Sequence, residues 1–175
     1  ASQDVTRLGI GATTWTFVLQ PTGKVDAWAR VTRTEDDVLV LDTDAGAGEA
    51  LATRLRRFLL RTKAEVEATT VPCVALRGPG AEAGGPSTGV GSVGPPLRVL
   101  AGWPGVEGAD LLGEGAEVPD GVPEVGLDAY ESLRIRSGVP AMGRELTERT
   151  IPAEAGYGLS QVLVGKDGRV AEILA

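Results

Sequence analysis

The stretch from Thr14 to Thr32 constrains the fold more than any other part of the chain. Trp15, Phe17 and Leu19 alternate with polar or smaller residues, the two-residue period of a half-buried strand. Pro21-Thr22-Gly23-Lys24 then supplies turn chemistry, with proline setting φ and glycine allowing it to be positive. A second alternation follows, with Val25, Ala27, Ala29 and Val31 on one face and Asp26, Trp28, Arg30 and Thr32 on the other. Two alternating runs joined by such a turn form an antiparallel hairpin. Asp36-Asp37 marks another turn before a third strand, Val38 to Leu41. A helix is predicted from about Gly46 to Arg61, with Asp44 near its N-terminus and Leu51, Leu55, Phe58 and Leu59 forming its apolar stripe.

The second half repeats this grammar. Strands are predicted at Glu65–Thr70, Cys73–Leu76, Leu97–Leu100 and Ala109–Leu112. Gly78 to Pro96, rich in Gly, Pro, Ala and Ser, reads as a long loop. Leu127 to Ser137 reads as a helix stopped by Gly138 and Pro140. Gln161–Val164 and Arg169–Leu174 flank Gly165-Lys166-Asp167-Gly168, a hairpin signal. Hairpins alternating with helices, without repeated βαβ units, predict an α+β fold with largely antiparallel sheet.

Composition narrows function chiefly by subtraction. The 175 residues contain no histidine, which removes Ser-His-Asp and Cys-His catalysis and histidine metal ligands together. With Cys73 as the single cysteine, neither a zinc or iron–sulfur site within the chain nor an internal disulfide is expected, and a reducing cytoplasm suits it. A net charge of -7 argues against a nucleic-acid surface. The basic cluster Arg54, Arg56, Arg57, Arg61 and Lys63 reads as a solvated helix face. No apolar run approaches the roughly 18 residues that span a membrane, and no secretory leader is expected.

Several residues then stand out individually. Cys73 lies in the apolar run Val71 to Leu76 and is expected to be buried and inert. Gly9-Ile10-Gly11 and the glycines from Gly89 to Gly94 lack the flanking strand, helix and lysine of a phosphate loop. Trp103, between Gly102 and Pro104, either lines a pocket or caps the core. The segment Leu127 to Gly156 carries a conformationally demanding tail after its helix, the kind of loop that stands beside a site or serves structure alone.

That segment, LDAYESLRIRSGVPAMGRELTERTIPAEAG, resembles the folate-binding YgfZ family and its glycine-cleavage T-protein relatives, in which Leu-Arg-Ile and Gly-x-Pro precede a T-I-P-x-E-x-G stretch. Three further stretches resemble the same family in the same order. They are Gln3-Asp4-Val5-Thr6 with Leu8, the hairpin Pro21-Thr22-Gly23-Lys24-Val25, and Ala75-Leu76-Arg77-Gly78-Pro79-Gly80-Ala81, similar to the family's L-x-G-P-x-A. The resemblance implies a folate-binding core over residues 1–156, built of two intimately packed, mostly antiparallel sheet-plus-helix halves of about 1–66 and 67–156. Residues 157–175 would then form a C-terminal hairpin that a further barrel domain could include.

The departures define which branch is resembled. Where aminomethyltransferases of the family carry an essential aspartate, this chain has Trp28, which cannot steer a folate amine or balance a developing positive charge. Asp26, placed by the alternation on the same strand face, is the candidate substitute in a divergent one-carbon transferase. The family's pterin-binding acid aligns with Asp110 and a folate-holding arginine with Tyr130. The YgfZ signature K-G-C-Y-x-G-Q-E does not follow Pro152-Ala153-Glu154, which puts a thiol-dependent role in doubt. The resemblance therefore implies a tetrahydrofolate-binding protein without aminomethyl transfer, linked to iron–sulfur proteins, using Asp110, Tyr130, Trp28, Asp26 and Trp103. The rivals are the divergent transferase and a ligand-free scaffold.

Overall fold

A computed structural model describes residues 4–59, 63–83 and 96–155, together with the strand pairs at 163–164 and 170–171. The chain is α+β. Strands β1 (Thr13–Leu19), β2 (Val25–Arg33) and β3 (Leu39–Asp42) form one antiparallel sheet in the order β1-β2-β3. Helix α1 (Gly48–Arg56) follows. Strands β4 (Cys73–Arg77), β5 (Leu97–Leu100) and β6 (Gly108–Leu112) form a second antiparallel sheet in the order β4-β6-β5. Helix α2 (Leu127–Arg136) leads into the tail, and β7 (Leu163–Val164) pairs antiparallel with β8 (Val170–Ala171).

The hairpin of β1 and β2 is as its alternation predicts, except at one point. The register shifts between Val18 and Leu19, so Leu19 pairs with Val25 and Val18 with Ala27, leaving Asp26 as the extra residue of a bulge. Val25 therefore leaves the face of Ala27 and Ala29. It packs instead with Phe17, Trp28 and Leu146, while Val18, Ala27 and Ala29 pack under Leu51 of α1. Both faces of β2 are covered, and for that reason Trp28 and Arg30 are buried along with the small residues.

Four other expectations are corrected. Residues 65–70 form no strand: Glu65 and Glu67 charge one face, no partner strand among the described residues lies alongside, and nearly all the side chains there are exposed. Helix α1 ends at Arg56, so Phe58 falls beyond it and is 63% exposed rather than part of the apolar stripe. Asp44 does not cap α1, whose N-cap is Ala47. Its Oδ2 instead accepts the Met142 N–H at 2.8 Å, tying the tail to the first sheet. Cys73 is exposed, because β4 is an edge strand and its side chains at Cys73 and Ala75 are left uncovered. Most of the expected loop at 78–96 lies outside the described residues, apart from the turns through residue 83 and Pro96.

The tail after α2 is fastened rather than loose. Gly138, at φ 68°, reverses the chain after the helix, a conformation glycine adopts without strain. Arg134, 5% exposed, donates to the Val139 carbonyl at 2.6 Å and forms ion pairs with Glu131 and Glu145. Glu145 returns the contact by accepting the Ala141 N–H at 3.0 Å. Leu146 is then fully buried against Phe17 and Trp28, and the Val25 N–H donates to the Thr150 carbonyl at 2.8 Å.

Candidate functional site

Two rows of residues create the site. Across the first sheet, pairing places Trp15, Arg30 and Asp42 side by side. Across the second, Ala75, Asp110 and Val99 are aligned in the same way. Arg30, 2% exposed, reaches from its row into the other. Its Nε and Nη2 donate to Asp42, its Nη1 to Asp110 Oδ2 at 2.6 Å and to the Leu100 carbonyl at 3.0 Å. Burial works against the charge on Arg30, but Asp42 and Asp110 outweigh it and hold its pKa above the ordinary value. The Trp15 indole N–H donates to the Ala101 carbonyl at 2.8 Å, a second tie between the sheets.

Asp110 is the hub. Its second oxygen, Oδ1, accepts from Arg77 Nη1 at 2.6 Å. The Arg77 guanidinium lies 4.2 Å from the centroid of Trp103 and 5.7 Å from that of Tyr130, and those two rings are 5.3 Å apart. A guanidinium against aromatic faces gains from the ring quadrupole as well as from contact. Burial raises the Tyr130 phenol above its usual pKa, opposed by the Arg77 charge. Opposite Arg77 on β6, Gly108 leaves the room this side chain needs: a Cβ there would lie 2.9 Å from both Arg77 Cδ and Ala101 Cβ.

Three of the five residues singled out from sequence therefore come together, Asp110, Trp103 and Tyr130, all around Arg77. Trp28 stands one layer behind. It is 3% exposed, stacked on Trp15 at 4.9 Å and 10°, and tilted against Phe17. Asp26 is not in the cluster: the bulge turns it to the helix side, where its Oδ2 lies 2.8 Å from Arg54 Nε of α1. Arg30, Arg77 and Asp42 were missed, although Arg77 sits inside the stretch that resembles the family's L-x-G-P-x-A. An arginine between two apolar strand residues, as at Ala29-Arg30-Val31, was the available signal for Arg30. Cys73 lies near enough to matter. Its thiol is pushed up to about 11, first by desolvation and then by the Asp110 carboxylate.

The arrangement is a charged floor with an aromatic wall. Among the described residues, no group of three or more His, Cys, Asp and Glu could hold a metal ion. No helix among them is long and apolar enough to cross a membrane.

With this geometry in place, the fold has a counterpart. The chain is similar to the crystal structure of glycine cleavage system aminomethyltransferase T from Bartonella henselae, with a TM-score of 0.72 over 86% of this chain. Sequence identity is 23%, a level at which the likeness shows the fold alone. The chain spans about half of that structure, 47% of its length. No family model and no curated protein matches the sequence.

Proposed function

We propose that the chain binds a tetrahydrofolate or a derivative at the Asp110 cluster and does so without aminomethyl transfer. The observation that carries this is a buried carboxylate beside a pair of converging aromatic rings, Trp103 and Tyr130. A pterin's 2-amino group and ring N–H offer paired donors to a carboxylate, and its bicyclic ring suits aromatic faces. The aminomethyltransferase-like fold and the four stretches resembling the YgfZ family support the same class of ligand. A role in the assembly or maintenance of iron–sulfur proteins, in the cytoplasm, follows from that resemblance.

The divergent-transferase alternative loses its acid. By the resemblance, the position where aminomethyltransferases carry the essential aspartate falls at Trp28, and Asp26 is turned to Arg54 on the opposite face. Aminomethyl transfer has no carboxylate to use at that place.

The test is equilibrium binding of 5-formyltetrahydrofolate by titration calorimetry, with thermal shift as a second readout, since a ligand selective for the folded state raises its midpoint. Asp110→Asn should weaken binding by about 1–3 kcal/mol, the cost of leaving a buried donor facing a donor. Absence of any binding by the unaltered protein sinks the reading.

A further inference from the structure

We propose that Arg77 is a displaceable occupant of the site and determines which ligands enter it. A ligand must replace both the Arg77 N–H on Asp110 and its flat face on Trp103. This rests on the reading above, that the Asp110 cluster binds a small molecule, and adds the step by which the cluster opens.

The hydrogen bonding of Arg77 is uneven. Its Nη1 donates to Asp110 at 2.6 Å, the Leu76 carbonyl at 2.8 Å and the Ala109 carbonyl at 3.2 Å. One nitrogen with two hydrogens thus serves three acceptors. Its Nε is buried and has no hydrogen-bond partner among the described residues, although the side chain is only 7% exposed. A buried guanidinium is well held when its forked donors are all matched. Arg77 is held instead with its Nε unmatched, by one charge contact, two carbonyls, the Tyr130 hydroxyl and the Trp103 face, and another flat donor can supply the contacts to Asp110 and Trp103.

The geometry of its seat defines the competitor. The guanidinium is planar and lies over the Trp103 ring, as a heteroaromatic ring would. An N–C–N edge bearing an amino group and a ring N–H can give Asp110 Oδ1 the N–H that Arg77 Nη1 now supplies, with a second donor beside it. Such a head group and Arg77 cannot hold the place together.

There is also somewhere for the side chain to go. Arg77 lines a surface cleft of about 280 Å³ together with Gly78, Pro79, Gly80, Arg98 and Val122. Movement into that cleft leaves Asp110 still paired with Arg30 on its other oxygen. The carboxylate is thus never stripped of all its cations, which makes the exchange a substitution and not an unfolding.

The experiment titrates the unaltered protein and Arg77→Met with pterin and with lumazine, which has the same outline but a carbonyl in place of the 2-amino group. Pterin should bind Arg77→Met about tenfold more tightly than the unaltered protein, while lumazine gains nothing. Arg77→Gln should give the same order and serves if Arg77→Met does not fold. Equal or weaker pterin binding by the variant overturns the proposal. If Asp110→Asn still weakens pterin binding in that case, the folate reading survives without it. If neither pterin nor a folate binds any of these proteins, the folate reading falls and the seat is tested alone with methylguanidinium. It should raise the thermal midpoint of Arg77→Ala by more than that of the unaltered protein, and equal shifts overturn displacement as well.

Discussion

Arg30 on β2 and Asp110 on β6 meet at 2.6 Å although they belong to different sheets, and the arginine that makes this contact also holds Asp42 on its own sheet. Removing it leaves two carboxylates without their shared cation. Arg30→Ala should therefore cost about 3–5 kcal/mol, the scale for breaking a buried pair from one side. Arg30→Lys should recover little, because one ammonium cannot span Asp42, Asp110 and the Leu100 carbonyl together. Urea unfolding followed by tryptophan fluorescence measures both, and a loss below about 1 kcal/mol would show the contact to be incidental.

Asp110 serves the fold as well as any ligand. Read from sequence it is a pterin-binding acid by resemblance, and the structure also gives it two arginine partners. Asp110→Asn should lower stability by about 2–3 kcal/mol, since Arg77 keeps its burial and loses its counter-charge. A thermal midpoint that does not move would mean Arg77 finds water or another acceptor in the variant.

Arg134 offers a control that touches the fold and not the cluster. Its guanidinium bridges Glu131, Glu145 and the Val139 carbonyl, fixing the chain reversal after α2. Because Glu145 is half exposed, Arg134→Ala is expected to cost only about 2 kcal/mol. Calorimetry should find ligand affinity unchanged. If affinity falls as far as it does in Asp110→Asn, the tail takes part in binding.

The same contact predicts a dependence on acid. Glu145 has its pKa lowered from 4.5, first by the Arg134 hydrogen bond. The folded protein takes up this proton less readily than the unfolded chain. The stabilisation is therefore whole above the unfolded value and is lost as pH falls through the folded one. Thermal midpoints measured from about pH 6 down to pH 3 should decline less steeply in Glu145→Gln than in the unaltered protein. Parallel curves would be evidence against the contact.

Cys73 is exposed yet should react slowly. With its pKa pushed up to about 11, only about one thiol in ten thousand is thiolate at pH 7. Alkylation by iodoacetamide should accelerate with pH well beyond pH 9. In Asp110→Asn the rate at fixed pH should increase, because the nearby negative charge that opposes ionisation is gone. An unchanged rate would place Cys73 outside the reach of Asp110.

How much of this was legible in the sequence depended on whether the deciding contact was local. The hairpin of β1 and β2 could be read because period and turn chemistry both sit within twenty residues. α2 could be read because Gly138 ends it nearby. Residues 65–70 misled because strand-like composition says nothing about whether a partner strand lies alongside. Cys73 misled because an edge strand and a central strand share one composition. In the site, Asp110, Tyr130 and Trp103 emerged from resemblance and residue type. Arg77 and Arg30 did not, since the partners an arginine reaches, on a neighbouring strand for Arg77 and on the second sheet for Arg30, leave no periodic trace. Asp26 was placed on the wrong face because alternation was carried through an irregularity that only the pairing reveals.

That irregularity sets the terms for anyone who would re-engineer this strand. The single extra residue in β2 puts the chain out of phase on either side of it, so position 26 belongs to the helix and position 28 to the core that Leu146 of the tail closes. A carboxylate meant to act beside the arginine–aspartate floor cannot be gained by adjusting Asp26. It would have to replace Trp28 and give up an indole pressed between Trp15 and Phe17. The price would be a hole of aromatic size with a charge at its bottom, about 3–5 kcal/mol for the lost ring alone. Chemistry and architecture compete for one position here, and the native sequence has settled the contest in favour of architecture.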